Sequence, residues 1–144
     1  MTAGFHQLTT NLQQLKGDLT LDAQSRVDEI NRLIKQVYDD DQRIISLEST
    51  GVNANDARDA RDQSLAELSK LVDIRTTQDS LGTMTITIGG TLVEARTGYS
   101  QLTTQSVAGK LKIVTSDAKT TVDVQSGELG GILGSLNTTL PGYQ

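Results

Sequence analysis

The chain has 144 residues and a formal net charge of −5, with one Phe, three Tyr, one His and neither Cys nor Trp. Without Cys there are no disulfides, thiolate nucleophiles or cysteine zinc sites, and a single His cannot build a His-rich metal centre. The acidic balance and the few aromatic residues argue against binding of nucleic acid. No apolar run approaches the roughly 20 residues of a membrane span, and residues 1–6 lack the pattern of a signal peptide. We therefore expect no cofactor, no metal, and neither nucleic acid nor membrane as a partner.

Residues 5–49 are predicted to form one long helix. Apolar residues recur there at alternating steps of three and four, which is typical of the seam of a helix in a bundle or coiled coil. The seam consists of Phe5, Leu8, Leu12, Leu15, Leu19, Ala23, Val27, Ile30, Ile34, Val37, Ile44 and Leu47, with Asp41 at the position between Val37 and Ile44. Gly17 weakens this helix by about 1 kcal/mol relative to Ala, so the helix can kink or break there.

Residues 55–72 are predicted to form a second helix. Asn55 is its predicted N-cap, and Asp56 lies in the first turn, where negative charge suits the helix dipole. The apolar stripe of this helix is Ala57, Ala60 or Arg61, Leu65, Leu68, and Leu71 with Val72. Because only residues 49–54 separate the two helices, we expect an antiparallel hairpin.

After residue 73 the apolar period changes to two, which indicates strands. Met and Ile alternate with Thr over residues 84–88, as in a half-buried strand, and the turn before them makes residues 74–79 the hairpin partner. Further strands are predicted at 91–95, 111–114 and 121–124, whereas residues 96–108 carry no clear pattern. We expect a small antiparallel β-unit of four to six strands over residues 73–126.

Residues 127–140 return to a helical pattern. Leu129, Ile132, Leu133 and Leu136 share one face, and Pro141-Gly142 stops the helix. The predicted fold class is α+β, a long helical hairpin or bundle stalk with an inserted small antiparallel β domain. Residues 1–72 form the stalk, residues 73–126 the β lobe, and residues 127–144 a helix that returns to pack on the stalk.

Two patterns that could carry chemistry have plainer structural interpretations. His6 lies near a terminus with no Ser, Cys or carboxylate constellation, whereas general base catalysis needs a held geometry. Residues 39–41 are three consecutive Asp, but they point in different directions on a helix and no Gly follows as in a calcium loop, which favours a solvated face.

Charged and Gly-rich segments elsewhere also favour structural interpretations. One face of the second helix carries Asp56, Asp59 and Asp62 interleaved with Arg58 and Arg61, which indicates an ion-paired surface or a contact between helices. Residues 127–131 are Gly-rich but lack the Gly and Lys spacing of a phosphate loop. We therefore predict no catalytic, cofactor-binding or metal-binding residues and no small-molecule substrate.

Two motifs carry a family resemblance. Residues 51–63 read Gly-Val-Asn-Ala-Asn-Asp-Ala-Arg-Asp-Ala-Arg-Asp-Gln, and residues 68–74 read Leu-Ser-Lys-Leu-Val-Asp-Ile. They closely resemble the family of flagellar hook-associated proteins FlgK, with its Ala-Asn-Asp-Leu-x-Asp-x-Arg-Asp stretch followed by Leu-Ser-x-x-Val-Asp. Residues 27–34, the Gly-Thr-x-Thr-Ile strand with Gly89 to Val93, and residues 127–143 fit the same family in the same order.

The resemblance implies a structural subunit of the bacterial flagellum that forms the junction between hook and filament, and no enzyme. Hook protein and other hook-associated subunits would be its partners, and the full-length protein would self-assemble. Export through the flagellar type III channel without a cleaved signal peptide would make it extracellular. Since the family's coiled-coil-forming terminal segments have no counterpart here, we expect a central fragment that stays monomeric by itself.

Helical periodicity and the shared motifs mark the positions that we expect in structural or interface contacts. They are Leu12, Leu15, Leu19, Val27, Ile30, Ile34, Val37, Ile44, Asn55, Asp56, Arg61, Asp62, Leu65, Leu68, Val72, Leu129, Ile132 and Leu133. An alternative of another class is an extracellular ligand-binding or sensor module, which would need a concave pocket with convergent polar groups.

Overall fold

The computed structural model describes the backbone of residues 2–139 and the side chains of residue 4 and residues 7–137. The elements in chain order are α1 (Thr2–Glu48), α2 (Asn55–Leu71), β1 (Arg75–Gln78), β2 (Met84–Ile88), β3 (Thr91–Ala95), β4 (Gly98–Tyr99), β5 (Leu102–Val107), β6 (Lys110–Thr115), β7 (Thr121–Val122), α3 (Gly127–Gly134) and a π-helical segment (Ser135–Thr139). This order confirms the predicted α+β class. The predicted stop at Pro141-Gly142 and the side chains of Phe5 and His6 lie outside the described residues.

Helix α1 is continuous from Thr2 to Glu48 and passes through Gly17 without a break. The break that the sequence allowed is therefore absent. One Gly costs only about 1 kcal/mol relative to Ala in a helix, which the remaining turns of a long helix outweigh. The Thr20 hydroxyl also donates to the carbonyl oxygen of Lys16 at 2.8 Å, across the turn that contains Gly17.

Helices α1 and α2 form an antiparallel hairpin. Their cross-contacts run in opposite order along the two helices: Glu48 with Arg58, Asp41 with Arg61, and Gln36 with Ser64. In the turn between them, Gly51 has a φ of +82°, a conformation that strains any side chain. The N–H of Val52 donates to the carbonyl oxygen of Leu47 at 3.1 Å, which satisfies one of the last carbonyls of α1.

Asn55 is the first residue of α2, so the prediction that it is the N-cap was wrong. Ala54 occupies the cap position, without a side-chain hydrogen bond, and its carbonyl oxygen accepts from the N–H of Arg58 at 3.0 Å. Ala54 is buried in a small cluster with Ile44 and Ala57. Packing against α1, rather than side-chain capping, therefore sets the start of α2.

The seven strands form two antiparallel sheets, of order β1-β2-β3-β4 and β5-β6-β7. The predicted hairpins of β1 with β2 and of β6 with β7 are present. The strand number exceeds the four to six expected, because β4 and β5 lie in the segment 96–108 that carried no clear pattern. A two-residue strand such as β4 is too short to show alternation.

The pairing of β2 with β3 contains a β-bulge. Ile86 lies opposite Glu94 and Thr87 lies opposite Leu92, so Val93 is the extra residue. Successive residues of a regular strand point to opposite faces of the sheet, but Val93 and Glu94 are both buried. The bulge therefore turns a carboxyl group into the interior.

One hydrophobic core joins the helices and both sheets. Its members include Ile30, Leu33, Ile34 and Val37 of α1, Leu68 of α2, Ile86, Ile88 and Val93 of the first sheet, Leu102 and Ile113 of the second sheet, and Leu129 of α3. Because these side chains form a single cluster, the β-unit shares its core with the hairpin.

We predict that Gly89→Ala destabilises the protein more than Gly90→Ala. Both glycines have positive φ, +56° and +79°, so Ala costs roughly 1–2 kcal/mol at either position. A methyl group on Gly89 would also collide with the backbone of Asp123, whereas it would meet open space on Gly90. The collision should add about 1–3 kcal/mol.

Denaturant unfolding of the two variants measures this difference. Equal free energies of unfolding would contradict the close approach of the β2–β3 turn to residue 123.

Candidate functional site: the hairpin–sheet contact and the exposed part of the long helix

The predicted seam of α1 divides into a buried part and an exposed part. The buried part comprises Ala23, Val27, Ile30, Ile34, Val37 and Ile44. Toward the N-terminus, Leu12 and Leu19 are half-buried, Leu15 is 45% exposed and Leu8 is 56% exposed. We call Leu8, Leu12, Leu15 and Leu19 the outer stripe. One apolar stripe thus leaves the core and continues onto the surface.

The buried face of α2 differs from its predicted apolar stripe. It consists of Ala57, Arg61, Ser64, Leu68 and Leu71, followed by the buried Val72. Arg61, not Ala60, takes the position that the sequence left open, and Leu65 is only partly buried at the edge of the core. The prediction erred because a steady spacing of four and three places an Arg and a Ser inside, which a search for apolar residues passes over.

Of the other positions predicted to make contacts, some are buried and some are exposed. Leu129 and Leu133 of α3 are buried, and Ile132 packs against the core while partly exposed. Asn55 and Asp56 are exposed at the start of α2. Asp62 is also exposed, and it accepts a hydrogen bond from Nε of Arg61 at 3.4 Å.

A buried ion pair joins the two helices of the hairpin. Nη1 of Arg61 donates to Oδ1 of Asp41 at 3.1 Å, and the side chains of Arg61 and Asp41 are 3% and 0% exposed. Asp41 lies four residues after Val37, at the seam position noted in the sequence, and therefore points at α2. Desolvating two charges is costly, so such a pair needs further hydrogen bonds to stabilise the fold.

The prediction of a solvated face for residues 39–41 was wrong for two of them. Asp39 is exposed and accepts a hydrogen bond from Lys35 at 2.8 Å. Asp40 and Asp41 are buried. Because consecutive helical residues point in different directions, a run of like charges reaches both the solvent and the interior.

The ion pair also binds the first sheet. Nη1 of Arg61 donates to the carbonyl oxygen of Gly82 at 2.9 Å, and Oδ2 of Asp41 accepts from the N–H of Met84 at 3.3 Å. Gly82 lies in the β1–β2 turn and Met84 begins β2. These bonds give both charged groups partners beyond each other and fasten α1, α2 and β2 together.

Glu94 is the third charged residue of this region. Its side chain is buried, neither carboxyl oxygen accepts a hydrogen bond from a donor among the described residues, and the carboxyl group lies within hydrogen-bonding reach of Asp41. Burial, and after it the neighbouring Asp41, together raise the pKa of Glu94 to about 8. Burial also raises the pKa of Asp41, but the hydrogen bond and the charge of Arg61 act against that. At neutral pH, Glu94 therefore keeps its proton beside the Asp41–Arg61 ion pair.

Two asparagines fasten helical segments to the second sheet. Asn31 of α1 donates from Nδ2 to the carbonyl oxygen of Leu102 at 2.8 Å and accepts from the Leu102 N–H at 2.7 Å. Asn137 of the π-helical segment makes the same two bonds to Leu111, at 2.8 and 2.9 Å. Each amide therefore satisfies both backbone groups of one strand residue, as a neighbouring strand would.

A groove of about 510 Å³ lies between α1 and α2. Its lining side chains are Arg32, Gln36, Asp39, Asp40, Arg43, Ala60, Gln63, Ser64 and Glu67. Ligand pockets are mostly apolar with a few polar groups, whereas this lining is mostly charged or polar. It does not favour the ligand-binding alternative.

Among the side chains that the structure describes, those of residue 4 and residues 7–137, no group of three or more His, Cys, Asp and Glu could hold a metal ion. None of the helices over residues 2–139 is long and apolar enough to cross a membrane.

The roles of four residues were not predicted from the sequence. The sequence did hint at the role of Asp41, because this residue interrupts an apolar seam. For Arg61, two interpretations had been left open, an ion-paired surface and a contact between helices, and the structure shows the contact between helices. Glu94 carried no such hint, because only the bulge turns it inward. Asn31 and Asn137 carried none either, because their partners are 71 and 26 residues away in the chain.

We predict that Arg61→Met destabilises the protein far more than the matched variant Arg58→Met. Removing Arg61 leaves Asp41 buried without its partner, which costs about 3–5 kcal/mol. Arg58 pairs with Glu48 at 2.9 Å, but both side chains are 29% exposed, so we expect about 1 kcal/mol or less.

Unfolding midpoints in denaturant at pH 7 measure both effects. If the two variants lost the same stability, the buried pair would not be the main polar link of the hairpin.

The family described as the flagellar hook-associated protein FlgK helical domain matches residues 1–144. The solved structure of the flagellar hook junction protein FlgK from Burkholderia pseudomallei has a TM-score of 0.75 and 24% identity over 87% of this chain. The match covers 24% of that protein, so the chain spans about a quarter of its length, and at this identity it shows a shared fold. No curated protein sequence matches this chain. The chain belongs to the family of the FlgK helical domain.

Proposed function

We propose that this chain is part of a structural subunit of the bacterial flagellum that forms the junction between hook and filament. The family supports a hook-associated structural role, and the solved relative is described as a hook junction protein. Position in the flagellum would make the protein extracellular, with export through the flagellar type III channel and no cleaved signal peptide. The work of such a subunit is to bind neighbouring subunits, not to catalyse a reaction.

The outer stripe is the observation that supports this role most directly. In the core, the seam of α1 buries its apolar residues against the sheets and α2, whereas the outer stripe presents the same residue types at the surface. Steps of four, three and four between its members are those of a helix that packs lengthwise against another helix. We infer that the outer stripe makes lateral contacts with neighbouring helices in the assembly.

The hairpin–sheet contact holds the stripe in a defined direction. Residues 2–22 precede the first buried position of the seam and add about 30 Å of helix at 1.5 Å per residue. Asp41, Arg61 and Asn31 fix the C-terminal part of α1 to α2 and to both sheets. A rigid base of this kind lowers the entropic cost of ordering the helix when a partner binds.

We propose hook protein and other hook-associated subunits as partners, and self-assembly as a property of the full-length protein. Neighbouring helices with similar seams would cover the outer stripe. The β-unit exposes a Thr-rich surface that suits the outer, solvated side of a tubular assembly. The chain by itself should remain monomeric in light scattering.

The test is co-sedimentation of the chain with purified hook polymers. We expect the chain to pellet with the polymers, and the double variant Leu8→Glu/Leu15→Glu to bind at least tenfold more weakly. Burying one Leu contributes roughly 1.5–3 kcal/mol, and a charge in its place opposes the contact.

The matched control is Leu81→Glu/Leu92→Glu. These residues are 52% and 53% exposed, close to the values of Leu8 and Leu15, but they lie on the β-unit. Equal loss of binding in both double variants would contradict a specific role of the outer stripe. Filaments formed by the chain alone would contradict the expected monomer.

A further inference from the structure

We propose that Glu94 is a proton-dependent latch, which fastens the four-stranded sheet to the helical hairpin when protonated and loosens that contact when ionised. This inference concerns the stability of the domain and does not depend on the flagellar role. It starts from a carboxyl group that is buried at the point where α1, α2 and the first sheet meet.

The backbone places this carboxyl group in the interior. The bulge at Val93 puts Glu94 on the buried side of the sheet, opposite Ile86 of β2. On the other side, Glu94 pairs with Tyr99 of β4, whose ring lies 5.1 Å from the ring of Tyr38 of α1. The strand pairing therefore links the backbone of Glu94 to a residue that packs on α1.

The groups around Glu94 do not compensate a second negative charge. Asp41 faces it from α1 and Arg61 from α2, and these are the charged groups that act on its titration. The hydrogen bonds of Nη1 and Nε of Arg61 go to Asp41, Gly82 and Asp62. Since Asp41 and Arg61 neutralise each other, an ionised Glu94 leaves the cluster with one uncompensated buried charge.

The hydrogen bonds decide which carboxyl group keeps the proton. Asp41 accepts from Arg61 and from the N–H of Met84, and both bonds favour its ionised form. Glu94 has no such donor among the described residues. The proton therefore stays on Glu94, in agreement with a pKa raised by burial to about 8.

The direction of the pH dependence follows from linkage. The unfolded chain releases the Glu proton at about pH 4.3, whereas the folded protein holds it to about pH 8. Between these values the folded state binds more protons at Glu94, so the contribution of Glu94 to stability is greatest at low pH and falls as the pH rises. Above pH 8, Glu94 ionises in the folded state and the contact loosens.

The test compares the protein with Glu94→Gln, which keeps the shape and removes the titration. In denaturant unfolding from pH 5 to pH 9, the unfolding constant of the protein relative to Glu94→Gln should rise about tenfold per pH unit up to pH 7.5 and level off above pH 8. Glu67→Gln, at an exposed position of α2, should run parallel to the unchanged protein. A Glu94→Gln curve that also runs parallel would overturn the proposal.

A second measurement does not require a stable variant. The carboxyl ¹³C shift of Glu94 in the unchanged protein should titrate with a midpoint near pH 8, whereas an exposed Glu titrates near pH 4.3. A midpoint in the ordinary range would overturn the latch.

Hydrogen exchange tests where the contact loosens. The amide of Met84 is bound to Asp41 at the latch, and the amide of Leu102 is bound to Asn31 at the second sheet. A local loosening exposes Met84 at a lower free energy than global unfolding, so at pH 9 the protection of Met84 should lie at least tenfold below that of Leu102 in the unchanged protein, and this gap should shrink in Glu94→Gln. A gap of the same size in both proteins would mean that the ionised Glu94 acts only through global unfolding and would overturn a latch confined to the first sheet.

Discussion

The buried Asp41–Arg61 ion pair is the interaction on which the arrangement of this domain depends. It joins α1 to α2, and through Gly82 and Met84 it joins both helices to the first sheet. An ion pair taken out of water stabilises a fold only when its remaining donors and acceptors are satisfied. The backbone groups of the sheet supply those partners here. The buried charges of the hairpin therefore have these hydrogen-bond partners only when the sheet is in place. The three elements are therefore coupled by an electrostatic requirement as well as by their shared core.

Side-chain hydrogen bonds to strand backbone recur at the other contacts between helices and sheets. Asn31 and Asn137 each satisfy both backbone groups of one strand residue. A similar bond joins two connecting segments, where the carboxylate of Asp73, which follows α2, accepts from the N–H groups of Gln125 and Ser126, which precede α3. Such bonds are directional, whereas apolar packing alone tolerates sliding. They fix the position of the sheets along α1. The direction in which α1 leaves the domain is fixed with them.

A single apolar pattern has two uses in this chain. From Ala23 onward it builds the core, and over the outer stripe the same spacing lies at the surface. Within the proposed junction role, a neighbouring subunit would continue the packing that the domain itself provides further along α1. The latch at Glu94 acts on a different contact. A change in pH would therefore alter how firmly the first sheet is bound to the hairpin, without changing the outer stripe.

The order of neighbouring residues along the chain determined which segments are helix and which are strand. The three–four period over residues 5–49, the change to a period of two after residue 73 and the motif in residues 51–63 sufficed for the fold class and the family resemblance, because periodicity and motifs are properties of neighbouring residues. The tertiary structure alone decided the inward turn of Glu94, the burial of Ser64 beside a half-exposed Leu65, and the partners of Asn31. Each of these depends on backbone register or on residues distant in the chain. The same physical reason explains Asp41: its place in the seam was visible in the sequence, but only the fold brings Arg61 and the sheet close enough to satisfy its charge.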